Sequence, residues 1–264
     1  MTNVYIELTK FFNAGELRAI LSFGQAAVLH RLAIMSKDGD WILRETAETM
    51  EHILKILSKY KAHYRFGAPL DIRWMSGGWS SHFEFLHGEM RVRTDFVTRP
   101  PRISQVELRN LWKGQEGCDI PFVSIKHLAD IKKTNRERDY AIIGELARLM
   151  SDPRDQLLYS RSARDLIALA EKHPAFISEL KVQRSVLEKI PEGRDKLEEA
   201  LDAERRSLIH VNEERLRIYM EASLKWSVIW QDVEKETEGI SLLKAHEIVV
   251  RRAKDILPFH PMKG

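Results

Sequence analysis

The chain has 264 residues, of which 44% are hydrophobic, enough apolar material for one large domain or two modest ones. Lys and Arg number 42 against 39 Asp and Glu, so a formal net charge of +3 excludes a chain-wide field for nucleic acid or membrane, and any anionic partner must be met by local charge. The single cysteine, Cys118, excludes an internal disulfide framework and suits a reducing compartment. The start "MTNVYIELTKFF" lacks a basic segment followed by a long apolar run, and no stretch approaches about 18 uninterrupted apolar residues, so a cytoplasmic, non-membrane protein is expected.

Residues up to about 150 mix element types, whereas 151–264 read as helical, which sets an expected domain boundary at 150. "VYIELTKFFNAGELRAIL" has helical spacing with a break near Asn13 to Gly15, and "GQAAVLHRLA" reads as a short helix opened by Gly24. "DWIL" is a strand candidate, and "ETAETMEHILKILSKY" from Glu45 is an amphipathic helix. "LDIRWM" (70–75) alternates like a strand, and "HFEFL" (82–86) with "MRVRTDFV" (90–97) flanks a hairpin turn at "HG". "RPPRI" ends that last strand, since proline cannot donate to a ladder. Ser104 and Ser124 are N-caps of the next two helices. Beyond Asp152 every Pro or Gly sits where a helix would start or stop, with one long charged segment between Gly193 and Gly239.

The stretch "KDGDWILRE" (37–45) places two aspartates around a glycine. Asp-Gly is a favoured hairpin dipeptide, so one reading is a solvated turn leading into the strand at Trp41. If 38–43 is extended, however, Asp38, Asp40 and Ile42 share one face, with the two aspartate Cα atoms roughly 6.6 Å apart. Paired carboxylates of this kind suit Mg²⁺, a hard cation that keeps positions open for phosphate oxygens. Asp95 in "VRTDFVT" offers a third carboxylate, because an aspartate inside a strand is disfavoured unless it faces water or a ligand. Should its strand pair beside 38–43, a two-metal site for phosphoryl transfer becomes possible; otherwise Asp95 is one acid among Arg91 and Arg93 on a wet sheet face.

These residues resemble the nucleotidyltransferase superfamily, in particular the bacterial stand-alone type found among toxin–antitoxin proteins. "FGQAAVLHRLAIMSKDGDW" supplies Gly24, Asp38 and Asp40, "RVRTDF" supplies Asp95, and the likeness covers roughly residues 20 to 150. It implies an α+β fold with a small mixed sheet flanked by helices, followed by an α-helical C-terminal region. By the same likeness, Gly24 and Gln25 at a helix start, and Lys132 with Asp139 in "KHLADIKKTNRERDYAIIGEL", would contact nucleotide. Lys132, Lys133, Arg136 and Arg138 do concentrate positive charge within seven residues, favourable for a triphosphate or else a solvated helix surface.

The implied activity is Mg²⁺-dependent transfer of a nucleoside monophosphate from a nucleoside triphosphate to an acceptor hydroxyl on RNA, protein or a small molecule. Phe23 departs from the family's two small residues at the helix start, which gives a second reading, a catalytically silent binding protein such as a toxin–antitoxin partner acting through its helical C-terminal region. Other constellations have plainer alternatives. His82, Glu84 and His87 are either zinc ligands or partners of the arginines across the hairpin. Trp226, Trp230 and Tyr219 form a helical aromatic stripe for core packing or base stacking. "GGWSSH" is a turn rather than a phosphate loop.

Overall fold

The computed structural model describes residues 3–261. In chain order the elements are α1 (Val4–Phe12), β1 (Ala19–Ser22), α2 (Phe23–Leu29), β2 (Asp38–Leu43), α3 (Ala47–Lys59), β3 (His63–Tyr64), α4 (Ile72–Met75), β4 (Ser81–His87), β5 (Met90–Val97) and α5 (Gln105–Gly114). There follow α6 (Ile125–Ile131), α7 (Glu137–Leu149), α8 (Pro153–Tyr159), α9 (Ala163–Lys172), α10 (Pro174–Leu180), a 3₁₀ segment (Ser185–Glu192), α11 (Arg194–Thr237) and α12 (Leu242–Ala253). The architecture is α+β, a five-stranded mixed sheet with flanking helices and a helical C-terminal region.

The sheet has the order β1-β2-β5-β4-β3, and β2 with β5 is its parallel pair. Two short-range devices set this up. The β4–β5 hairpin closes at Gly88, whose φ of +63° meets the turn's demand for a left-handed first residue. After α1, the Asn13 side chain accepts from the Arg18 and Ala19 amides and donates to the Thr9 and Ala19 carbonyls, turning the chain from helix into β1. The break at Asn13 to Gly15 is where the sequence places it, but β1 hides within the stretch of helical spacing. All four of its residues are buried, so it shows no alternation.

The stretch 70–75 also differs from expectation. The Asp71 carboxylate accepts from the Arg73 amide and is forked by the Arg73 guanidinium, so a single helical turn, α4, forms instead of a strand.

Contacts divide the chain into one unit of Met1–Val123 with Arg217–Gly264 and a second of Ser124–Leu216. The boundary expected at 150 falls within the second of these units. The last helical stretch packs back onto the sheet: Trp226, Trp230, Val233, Val249 and Ala253 join Leu8, Phe12, Trp41, Phe83 and Phe96 in one core. Trp226 also donates to the Gly67 carbonyl at 2.8 Å, so its stripe serves packing. The second unit has its own core around Leu157, Leu166, Leu187 and Leu197.

On the core face of β2, Gly39 lies beneath the Trp41 ring. A Cβ at Gly39 would stand 2.4 Å from Trp41 and 2.5 Å from Tyr5. Trp41 is itself pinned, its indole donating to Thr9 Oγ1 at 3.0 Å and packing edge-on to Phe12. The Gly39→Ala variant should therefore lose about 1–3 kcal/mol, read as a lower urea midpoint at unchanged slope. Gly114→Ala, with open space around it, should leave the midpoint nearly unmoved.

Candidate functional site

Strand pairing lays polar residues in two rows on the sheet face opposite that core. Ser22 stands opposite Asp40, Asp40 opposite Asp95, and Asp95 opposite His82, so one row crosses β1, β2, β5 and β4. The neighbouring row runs Asp38, Arg93, Glu84, His63. Because register partners point to the same side and residues two apart share a face, Asp38, Asp40 and Asp95 lie on one face. Adjacent strands place the Asp40 and Asp95 backbones about 4.8 Å apart.

Each carboxylate has a distinct environment. Asp95 is tied through Oδ1 alone, which accepts from His82 Nδ1 at 2.8 Å and from Arg65 Nη1 at 3.3 Å. Asp38 Oδ1 is buried without a hydrogen-bond partner, and an orphaned buried carboxylate oxygen is costly unless something answers it. The Tyr5 phenol donates to the Lys37 carbonyl at 2.6 Å, and burial, then the charges of Asp38 and Asp40, push its pKa up to about 12. Glu84, by contrast, is neutralised: burial alone would raise its pKa, but Arg91 and His63 hold it below the usual carboxylate range.

Carboxylate oxygens are the donors that Mg²⁺ selects, and the unanswered Asp38 oxygen fits that use. As the side chains stand, no three His, Cys, Asp or Glu groups among the described residues converge on a point that could hold an ion. The shared face is set by the backbone, so rotation of the aspartate side chains is what closure around a cation requires.

The other anticipated residues have different duties. Gly24 leaves space that the Ser36 side chain fills: an added Cβ would lie 2.2 Å from Ser36 Oγ. Gln25 is 3% exposed, and its amide donates to the carbonyls of Ser36 and Asp38. Both thereby brace the approach to β2. Phe23, just before, has a φ of +45°, a rare conformation for a bulky residue.

Lys132 and Asp139 belong to the second unit and pair with each other at 3.2 Å, both buried. Asp139 accepts as well from Thr134 Oγ1 at 2.6 Å and Arg136 Nε at 2.9 Å. Lys133 pairs with Asp130 and lies over the Tyr159 ring. The basic run thus spends much of its charge inside its own unit.

The sequence pattern ties His82 to Glu84, two residues along the strand, but its partners are Asp95 across the strand pair and Ser80, just before β4 begins. Ser80 Oγ and His82 Nε2 are 2.8 Å apart. Arg65 stands in no recognisable motif, and Ser80 lies in "GGWSSH", which reads in sequence as a turn. The one available signal was the parity of Ser80 with His82.

No family model matches the chain, and no curated protein does. Among solved structures, the chain is similar to a protein from H. pylori whose description as a nucleotidyltransferase is itself provisional. The identity is 11%, the match covers 80% of this chain and 96% of that one, and the TM-score is 0.38. That likeness is too slight to bear on function, which rests on the geometry alone. No helix among the described residues is long and apolar enough to cross a membrane.

The buried pair supplies a pH-dependent check. Burial acts to raise the Asp139 pKa, but Thr134, Lys132 and Arg136 together hold it below its usual value. A depressed carboxylate contributes stability that is present above its unfolded pKa of about 3.9 and is lost as pH falls through the folded value. Asp139→Asn should thus cost several kcal/mol at neutral pH, roughly 3–5 where a buried partner is stranded. The gap to the parent should narrow below about pH 4, as denaturant titrations at the two pH values would record.

Proposed function

We propose that the chain transfers a nucleoside monophosphate from a nucleoside triphosphate to an acceptor hydroxyl, with Mg²⁺ held by Asp38, Asp40 and Asp95. The observation that carries this reading is the parallel register of β2 on β5, which sets Asp40 beside Asp95 with Asp38 on the same face and one Asp38 oxygen buried and unanswered. When bound, Mg²⁺ would supply charge for the triphosphate and for the in-line transition state.

The chain's own residues do the rest. Asp38 and Asp40 present carboxylates from one strand, and Gln25 braces the backbone from which they project. Asp95, steadied through Oδ1 by His82 and Arg65, would orient the acceptor hydroxyl. The rear of β2 is packed by Trp41 and Phe96 in stacked contact, which limits movement of the carboxylate backbone.

One observation favours the silent alternative: Ser36 occupies the space beside Gly24, where close approach of phosphate to the backbone would be needed. Calorimetry separates the two, since triphosphate with Mg²⁺ should bind under the catalytic reading and not under the silent one. The double variant Asp38→Ala with Asp40→Ala should abolish Mg²⁺-dependent transfer of label from an α-labelled triphosphate to total cellular RNA or protein. Undiminished transfer in that variant would refute the assignment.

A further inference from the structure

The row that contains Asp95 continues into a chain of hydrogen bonds that metal binding does not require. A carboxylate only accepts, so the 2.8 Å contact of Asp95 Oδ1 with His82 Nδ1 puts the proton on Nδ1 and leaves Nε2 to accept from Ser80 Oγ, also at 2.8 Å. Backbone pairing holds this arrangement. The Arg65 amide donates to the His82 carbonyl and the Ala68 amide to the Ser80 carbonyl, both near 3 Å. Between them Gly67 lies against the imidazole, where a Cβ would stand 2.5 Å from His82 Cδ2. Gly67 is anchored in turn by the Trp226 indole. Ser80, just before β4, is half-buried rather than sealed in the core, and its Oγ meets His82 on the face that carries the aspartates.

Serine, imidazole and carboxylate linked through these atoms form the arrangement by which a hydroxyl is made nucleophilic. Here the carboxylate is also a proposed metal ligand, so the activated oxygen sits one imidazole ring away from where the triphosphate would lie.

We infer that Ser80 is itself an acceptor hydroxyl, so that the chain nucleotidylates the residue that leads into its own β4. This rests on the proposed nucleotidyltransferase reading and names its acceptor. Ser80 Oγ attacks the α-phosphorus of a nucleoside triphosphate; the Oγ–P bond forms, the bond from that phosphorus to the bridging oxygen breaks, and pyrophosphate leaves. The Ser80 proton passes to His82 Nε2. The product is a phosphodiester on Ser80, which fills the ground beside Asp95 and blocks a second triphosphate.

Two measurements test this, the first without metal or nucleotide. A fluorophosphonate should label the intact chain at Ser80, with fluoride as leaving group. Ser80→Ala should lose the label and His82→Gln should slow it by about 100-fold, the scale of general-base assistance. Labelling undiminished in Ser80→Ala, or equal rates in His82→Gln, would overturn the activated-serine assignment.

In the second, the full chain is incubated with Mg²⁺ and each α-labelled triphosphate, then digested and mapped by mass spectrometry. A nucleoside monophosphate on the Ser80 peptide, retained in Ser80→Thr and absent in Ser80→Ala and Asp38→Ala, is the expected result. An adduct at another residue overturns the inference. So does an unmodified chain that still passes label to added RNA or protein, although that outcome leaves the nucleotidyltransferase reading in place. An unmodified chain that binds no triphosphate by calorimetry overturns both.

Discussion

The parallel pairing of β2 with β5 is the constraint on which the site depends. Parallel strands have a single side-chain parity for each register, and a slip of one residue would send Asp95 into the core and Phe96 out onto the polar face. The register is held because Trp41 and Phe96 are opposite each other and stacked, one residue beyond the Asp40–Asp95 pair. An apolar contact on one face thus decides which charges meet on the other. Bringing two carboxylates side by side is unfavourable in itself, and burial of these rings, together with the surrounding core, offsets it.

That division between faces also explains the central glycine. Asp38 and Asp40 need an odd residue between them that points into the core, and the space there is already taken by Trp41 and Tyr5. A side chain would push β2 away from α1. Glycine is consequently needed for close packing, and the dipeptide that suggests a turn by composition is part of a strand by packing.

The strands and helices with distinct periodicity or punctuation were legible beforehand: α3 from its amphipathic spacing, the β4–β5 hairpin from its turn, and α5 and α6 from Ser104 and Ser124. The aspartates were legible because an acid within an apolar strand conflicts with local preference. β1 was not, since a fully buried strand carries no period of two. The return of α11 and α12 to the sheet was hidden for another reason. Their apolar faces show that something is covered, but only tertiary contact shows that it is a sheet from the opposite end of the chain. Lys132 and Asp139 illustrate the same limit in electrostatics, because a basic run is indistinguishable in sequence from one whose charges are already answered.

Asp95 joins two systems that would otherwise be independent. Its Oδ1 is engaged by an imidazole and a guanidinium, which fixes the carboxylate's plane before any ligand arrives. Freedom lost in the resting protein is not lost again on binding. The same tether links His82 directly to Asp95, which shares its face with Asp38 and Asp40. Arg65 tempers the coupling by placing a permanent positive charge on the same oxygen. The sheet therefore carries a row of polar residues, His82, Asp95, Asp40 and Ser22, one from each of four strands, with the Trp41–Phe96 stack on the opposite face.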